Sequence, residues 1–125
     1  MVTRIEFIPH QDQRYSTCGD WQFSGDGLTV RVSDTGSRAS NFLVAIHELV
    51  EAFLCESTGV SEGSVDEFDM SHPELEEPGE SPLAPYHSQH VTAEIVERIV
   101  AQAAGVRWGD HAVAIDALFD DPRSQ

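Results

Sequence analysis

His47, Glu48 and Glu51 form a His-Glu-x-x-Glu stretch inside an otherwise apolar run, and residues of these types at this spacing suit a metal ion. On a helix, positions i and i+4 lie about 40° apart, so an imidazole at 47 and a carboxylate at 51 can grip one point. Zinc takes neutral imidazole and carboxylate ligands, which makes Zn2+ the first expectation and another divalent metal the alternative. Glu48 points roughly 100° further round, where it would hold a water rather than the ion. His47 and Glu51 are therefore the candidate ligands, and Glu48 the candidate general base.

Further candidates lie downstream. His87, His90 and Glu94 follow one another at spacings of three and four residues, within a sector of about 60° on a second helix. One of the two histidines is expected to complete the set, and His90 is favoured because Glu94, one turn on, could orient its ring. Asp66 and Asp69 are candidate ligands or supports for ligands, weighed against the plainer account of a solvated acidic loop. Cys18 is a lesser ligand candidate beside Gly19, while Cys55 reads as packing and His111 as chemically idle.

The helix that must carry the motif is expected over residues 38–57, with Ser40 and Asn41 suited to its start and Gly59 just beyond its end. Phe42, Ile46, Leu49, Val50 and Phe53 make one apolar face, predicted to meet the core. Leu43, Val44, Ala45 and Leu54 leave little polar surface elsewhere, so the whole helix reads as buried. An isolated buried carboxylate costs several kcal/mol unless it is paired or coordinated, and a cation would satisfy His47 and Glu51 together.

Other elements follow from pattern. Residues 4–8 alternate and stop at Pro9, and residues 20–23 and 28–32, joined by a Gly-rich turn, read as a hairpin. Residues 58–84 read as a long acidic connection in which 65–70 could form a helical turn or two and 72–80 meets solvent. Pro85 is expected to open the second helix, whose stripe Val91, Ile95, Val96, Ile99, Val100 and Ala103 faces the core. A short helix over 112–119, capped by Asp110, completes the chain. The expected class is α+β: a small antiparallel N-terminal sheet packed on two or three helices. One domain, 1–125, is divided into strands (1–34), motif helix (38–57), acidic connection (58–84) and C-terminal helices (85–119).

Composition narrows the function. A chain of 125 residues, 40% hydrophobic, fits one compact domain with a small core. Its formal charge is −15, and all seven basic residues are arginine. Such a surface repels nucleic acid and anionic membranes, and favours metal ions or a peptide or basic protein partner. No apolar run approaches signal-peptide length or the roughly 20 residues of a membrane span, so a cytoplasmic location is expected. Two cysteines, Cys18 and Cys55, do not make a disulfide framework.

A strand over 28–32, a short polar loop, a helix with His-Glu-x-x-Glu and a second helix with further candidate ligands together resemble the core of the zincin-like metallopeptidases. The chain, with Ala84-Pro85-Tyr86 leading into a histidine-bearing helix, is also similar to small phage and prophage proteins, which would put it in a host cytoplasm. The zincin resemblance implies His47 as the first zinc ligand, Glu48 as general base, and His90 or a neighbour as the later ligand. It also implies that zinc acidifies its water and polarises a substrate carbonyl. Glu51 departs from the pattern, since zincins place histidine there; a carboxylate lowers the charge on the metal and makes its water less acidic. The edge of the 28–32 strand would accept an extended peptide by strand addition.

Three functions are compatible with these residues. The first is a small zinc hydrolase acting on peptide bonds. The second is a non-catalytic, metal-stabilised acidic phage protein that binds or regulates a partner. The third is an all-helical, metal-dependent nucleotide phosphohydrolase in which His47, Glu48 and an aspartate such as Asp66 hold the metal.

Overall fold

A computed structural model describes residues 1–120. Three strands, β1 (Val2–Ile8), β2 (Gly19–Ser24) and β3 (Gly27–Ser33), precede four helices, α1 (Arg38–Thr58), α2 (Glu62–Ser71), α3 (His87–Ala103) and α4 (Trp108–Asp120). The α+β class expected from the sequence is the class observed.

The sheet is mixed rather than antiparallel. β2 and β3 form the expected hairpin, with Trp21 opposite Val30, and Gly25 supplies the positive φ of 57° that the tight turn requires. β1 instead joins β3 in parallel, giving the order β1-β3-β2. Residues 9–18 carry the chain over the end of the sheet, so β2 starts where β1 stops and the hairpin returns between them. Long-range bonds pin that crossing: the ring of His10 meets Ser33 Oγ at 2.8 Å, and Gln13 Nε2 donates to the Arg31 carbonyl. A consequence is that β3 is the central strand. Both its edges are taken, so the strand addition expected along 28–32 has no place there.

α1 begins at Arg38, the start expected from sequence, but its cap stands three residues ahead of Ser40 rather than in the polar pair. Ser37 caps it, its hydroxyl accepting from Ser40 N–H, and Gly59 ends it in the left-handed region at φ 78°. Asn41 ties down the preceding loop, accepting from Thr35 and donating to Asp34.

The expected orientation of α1 and α3 is reversed. Phe53 is 65% exposed and Phe42 54%, while His47, Glu48 and Glu51 are buried. On α3, Ile95 is 53% exposed and the inward stripe is His90, Ala93, Glu97 and Ala101. Small residues on that stripe let the helices approach closely, and polar residues on both helices share the space between them.

The acidic connection is largely ordered structure. α2 occupies its first half, with Ser61 as cap, and a single 3-10 turn, Pro78–Glu80, occupies its second half with Pro78 and Gly79 buried. The expected exposure of 72–80 therefore fails at these two residues, where Gly79 packs on His90 and Tyr86. Pro85 lies in the turn before α3, which begins at His87 with Tyr86 at its N-cap. α4 begins at Trp108, placing Asp110 in its first turn rather than at its cap. Val30, Val32 and Cys55 are fully buried where sheet and α1 meet. No helix among the described residues is long and apolar enough to cross a membrane.

Candidate metal centre

α1 lies across β2 and β3 with α3 against its flank, so its inward side chains divide between two neighbours. His47 and Glu51 meet α3, and Glu48 meets the start of β2. His47 Nε2, Glu51 Oε2 and His90 Nδ1 form a triangle with sides of 3.1, 3.0 and 3.2 Å. A tetrahedral zinc site with bonds of about 2.0–2.1 Å has ligand-to-ligand edges of about 3.3–3.4 Å, so these three atoms fit a cation with almost no movement. The three candidate ligands chosen from sequence are the three residues brought together.

Two of the three candidate ligands are held from behind. Glu97 Oε1 accepts from His47 Nδ1 at 2.8 Å, and its other oxygen accepts from His111 Nε2, whose Nδ1 in turn meets Ser40 Oγ at 2.9 Å. Trp21 Nε1 donates to Glu51 Oε1 at 3.0 Å, leaving Oε2 for the triangle. This is how metal-binding histidines and carboxylates are ordinarily oriented. At the third, His90, the ring Nε2 is buried with no hydrogen-bond partner among the described residues. The Pro78–Glu80 turn closes over this ring so tightly that a Cβ on Gly79 would lie 2.5 Å from it. Glu77 and Glu80 each bring an oxygen within 4.8 Å of a His90 ring nitrogen and of each other.

Electrostatics fit the geometry. Burial disfavours charge on His47, but hydrogen bonds to Glu51 and Glu97 outweigh it and hold its pKa well above the usual imidazole range. Burial would likewise raise Glu51, yet His47 and His90 draw it down to about 2. Glu97 is lowered as well, against burial, by His111 and His47. Glu48 behaves oppositely: burial, then the nearby Glu51 charge, push it well above the carboxylate range. It accepts no hydrogen bond from the described residues, and a Cβ on Gly19 would lie 2.7 Å from its Oε1, so only glycine leaves that carboxyl its position.

The triangle and Glu48 open into one cavity of about 200 Å³. Nine carboxylate side chains line it against one arginine, Arg98, which stacks on Trp108 at 4.4 Å, so the field inside selects cations.

The remaining candidates are placed elsewhere. His87 meets the Gly79 carbonyl at 2.9 Å and holds the turn. Glu94 sits at the cavity wall, 3.9 Å from Arg98, and does not orient His90. Asp66 pairs with Arg14 at 3.1 Å, away from the triangle. Asp69 lines the cavity as a support: Tyr86 and Tyr15 hydroxyls donate to it, and burial raises it to about 6 despite them. Cys18 lines the cavity, and Cys55 packs in the core; both are free thiols. Sequence reasoning missed Glu97, His111 and Trp21. Glu97 carried a signal, since it stands seven residues after His90 and so on the same helix face.

Comparison with protein families, curated proteins and solved structures finds no match to this chain.

Proposed function

We propose that the protein is a zincin-like metal-dependent hydrolase, with His47 Nε2, Glu51 Oε2 and His90 Nδ1 as ligands and Glu48 as general base. The observation that carries this reading is the 3.0–3.2 Å triangle of two imidazoles and a carboxylate, sharing a cavity with a second carboxyl, Glu48, that accepts no hydrogen bond from the described residues. Bound zinc would supply Lewis-acid activation of water and of a substrate carbonyl.

The chain's own residues supply the rest. Glu97 keeps the His47 proton on Nδ1, which frees the Nε2 lone pair. Ligation through Nδ1 obliges His90 to carry its proton on Nε2. Glu48, whose pKa burial pushes up, is a stronger base than an ordinary carboxylate and can take a proton from water and return it to a leaving amine. The Pro78–Glu80 turn and Tyr86 wall the His90 side of the cavity.

A cavity of about 200 Å³ is below the roughly 300–1,000 Å³ typical of pockets for drug-sized ligands. That size supports a second reading, a metal-stabilised binding protein without turnover. The nucleotide phosphohydrolase reading loses support, because it needs an all-helical frame and the chain has a three-stranded sheet, while Asp66, its example of a metal-holding aspartate, pairs with Arg14.

Metal content by mass spectrometry, on untagged protein beside His47→Ala and His90→Ala, tests the first step. One equivalent of zinc, lost in both variants, is expected; no metal after reconstitution refutes both metal readings. Glu48→Gln should then keep zinc and lose hydrolysis of a peptide library. Loss of zinc in that variant makes Glu48 a ligand and removes the proposed base. Chelation that lowers the melting temperature of a protein with no hydrolytic activity favours the second reading.

A further inference from the structure

β1 is an outer strand, and no strand among the described residues pairs with its free edge. The Ile8 carbonyl turns to Asp34 N–H on the β3 side. Backbone groups alternate along a strand, so Thr3, Ile5 and Phe7 turn their N–H and C=O outward, ready to pair.

The side chains repeat the message. Ile5 and Phe7 lie opposite Val30 and Val32 in register, on the face that α1 covers. Yet Ile5 is 41% and Phe7 42% exposed, whereas Val30 and Val32 are fully buried. α1 spans β2 and β3 and reaches β1 through one ring contact, Phe7 to Phe42 at 5.7 Å between centroids. Half a core face is thus left uncovered beside the exposed apolar side of α1.

Charge identifies what covers it. The strand reads Val-Thr-Arg-Ile-Glu-Phe-Ile, and Arg4 and Glu6 stand on the solvent face on either side of Ile5. Laid antiparallel on itself about Ile5, the strand sets Arg4 opposite Glu6 of the second copy, and Glu6 opposite its Arg4. Ile5 meets Ile5, and Thr3 meets Phe7. Opposite charges directly across a strand pair stabilise it, and like charges oppose it. The segment is neutral within a chain of net charge −15, so this is a place where two such chains can meet.

We propose that two copies of this chain pair through β1, antiparallel and two-fold symmetric, into one six-stranded sheet. Phe42 and Ile46 of each α1 then lie near the seam and close over Ile5 and Phe7 of both copies. The interface is isologous and self-limiting, because pairing consumes the open edge of each copy. It does not depend on the metal reading, since β1 contributes nothing to the cavity.

Sedimentation velocity of the whole chain over a wide concentration range tests it, with circular dichroism as the fold control. The native chain is expected to dimerise. Arg4→Glu and Glu6→Arg each create two like-charge pairs across the seam and should weaken the dimer about tenfold or more. The double reversal, Arg4→Glu with Glu6→Arg, restores opposite pairs and should restore the dimer. Thr3→Pro removes an outward N–H without touching the β3 ladder, and should weaken pairing while leaving the fold intact. A native chain that stays monomeric overturns the proposal. So does a dimer indifferent to both single reversals and to Thr3→Pro, or a double reversal that fails to restore pairing.

Discussion

In the proposed metal centre Glu97 is a support rather than a ligand, and replacing it separates its two duties. Its side chain is 9% exposed and accepts from two buried imidazoles, His47 Nδ1 and His111 Nε2. Glu97→Ala strands both donors. Each unsatisfied buried donor costs about 1–3 kcal/mol, so the loss is about 2–6 kcal/mol. Whole domains hold only about 5–15 kcal/mol, so this variant should be severely destabilised or unfolded.

Glu97→Gln is the sharper experiment. The amide oxygen can still accept from His47, and its NH2 can donate to His111 in the other tautomer, so the fold should survive with a modest loss. What disappears is the negative charge that makes His47 a better ligand. Loss of such a supporting carboxylate ordinarily costs ten- to a hundredfold in metal affinity, or about 1.4–2.8 kcal/mol. Competition against a chromogenic chelator measures that affinity, and urea unfolding with and without zinc measures stability. Zinc affinity equal to the native value, in a folded Glu97→Gln protein, refutes the assignment of His47 as a ligand backed by Glu97.

Two further predictions use other parts of the site. Gly19→Ala should destabilise the protein by about 1–3 kcal/mol, as overpacking does, because its Cβ would meet Glu48 atoms at 2.7–2.8 Å. In a Glu48→Ala background that penalty should vanish, and additive losses in a double-mutant cycle would show that the clash lies elsewhere. The metal-free protein should be most stable in mildly acidic solution. His47 and Asp69 have folded pKa values above their unfolded ones, His47 well above and Asp69 at about 6. Their contributions are therefore present at low pH and lost as pH rises through the folded values. Glu51, lowered to about 2, contributes above its ordinary 4.5 and is lost as pH falls toward 2. Thermal melts of chelated protein should decline above about pH 6, and zinc, which displaces the His47 proton, should reverse that decline. A metal-free melting point that climbs from pH 6 to 9 contradicts this balance.

The centre was more legible in the sequence than the fold around it. Helical periodicity alone puts His47 and Glu51 on one point and turns Glu48 aside, because it depends on nothing beyond the helix. His90 is reached for the wrong reason: Glu94 does not orient it, and the supporting carboxylate on α3, Glu97, serves His47. The parallel β1 could not be read locally, since an alternating strand carries no mark of its partner. Its position rests on contacts such as His10 to Ser33, 23 residues apart.

The inverted helices expose the deeper limit of pattern reading. Ranking helix faces by hydrophobicity assumes that a polar face buried in the core would go unsatisfied. Here His47, Glu97, His111 and Ser40 satisfy one another across as many as 71 residues of chain, so the polar faces of α1 and α3 can meet inside. Part of each apolar stripe is then turned out, with Phe42, Phe53, Ile95 and Ile99 on the surface, while Val44, Ala45, Ala52 and Cys55 of α1 stay in the core. Burying the four exposed side chains instead would each be worth about 1.5–3 kcal/mol. A fold that forgoes this must recover it from the polar network, from a cation held by the triangle, or from a second chain over the apolar side. Chelation and dilution therefore act on opposite faces of the same helix, and each should weaken the protein more than its small core alone would suggest.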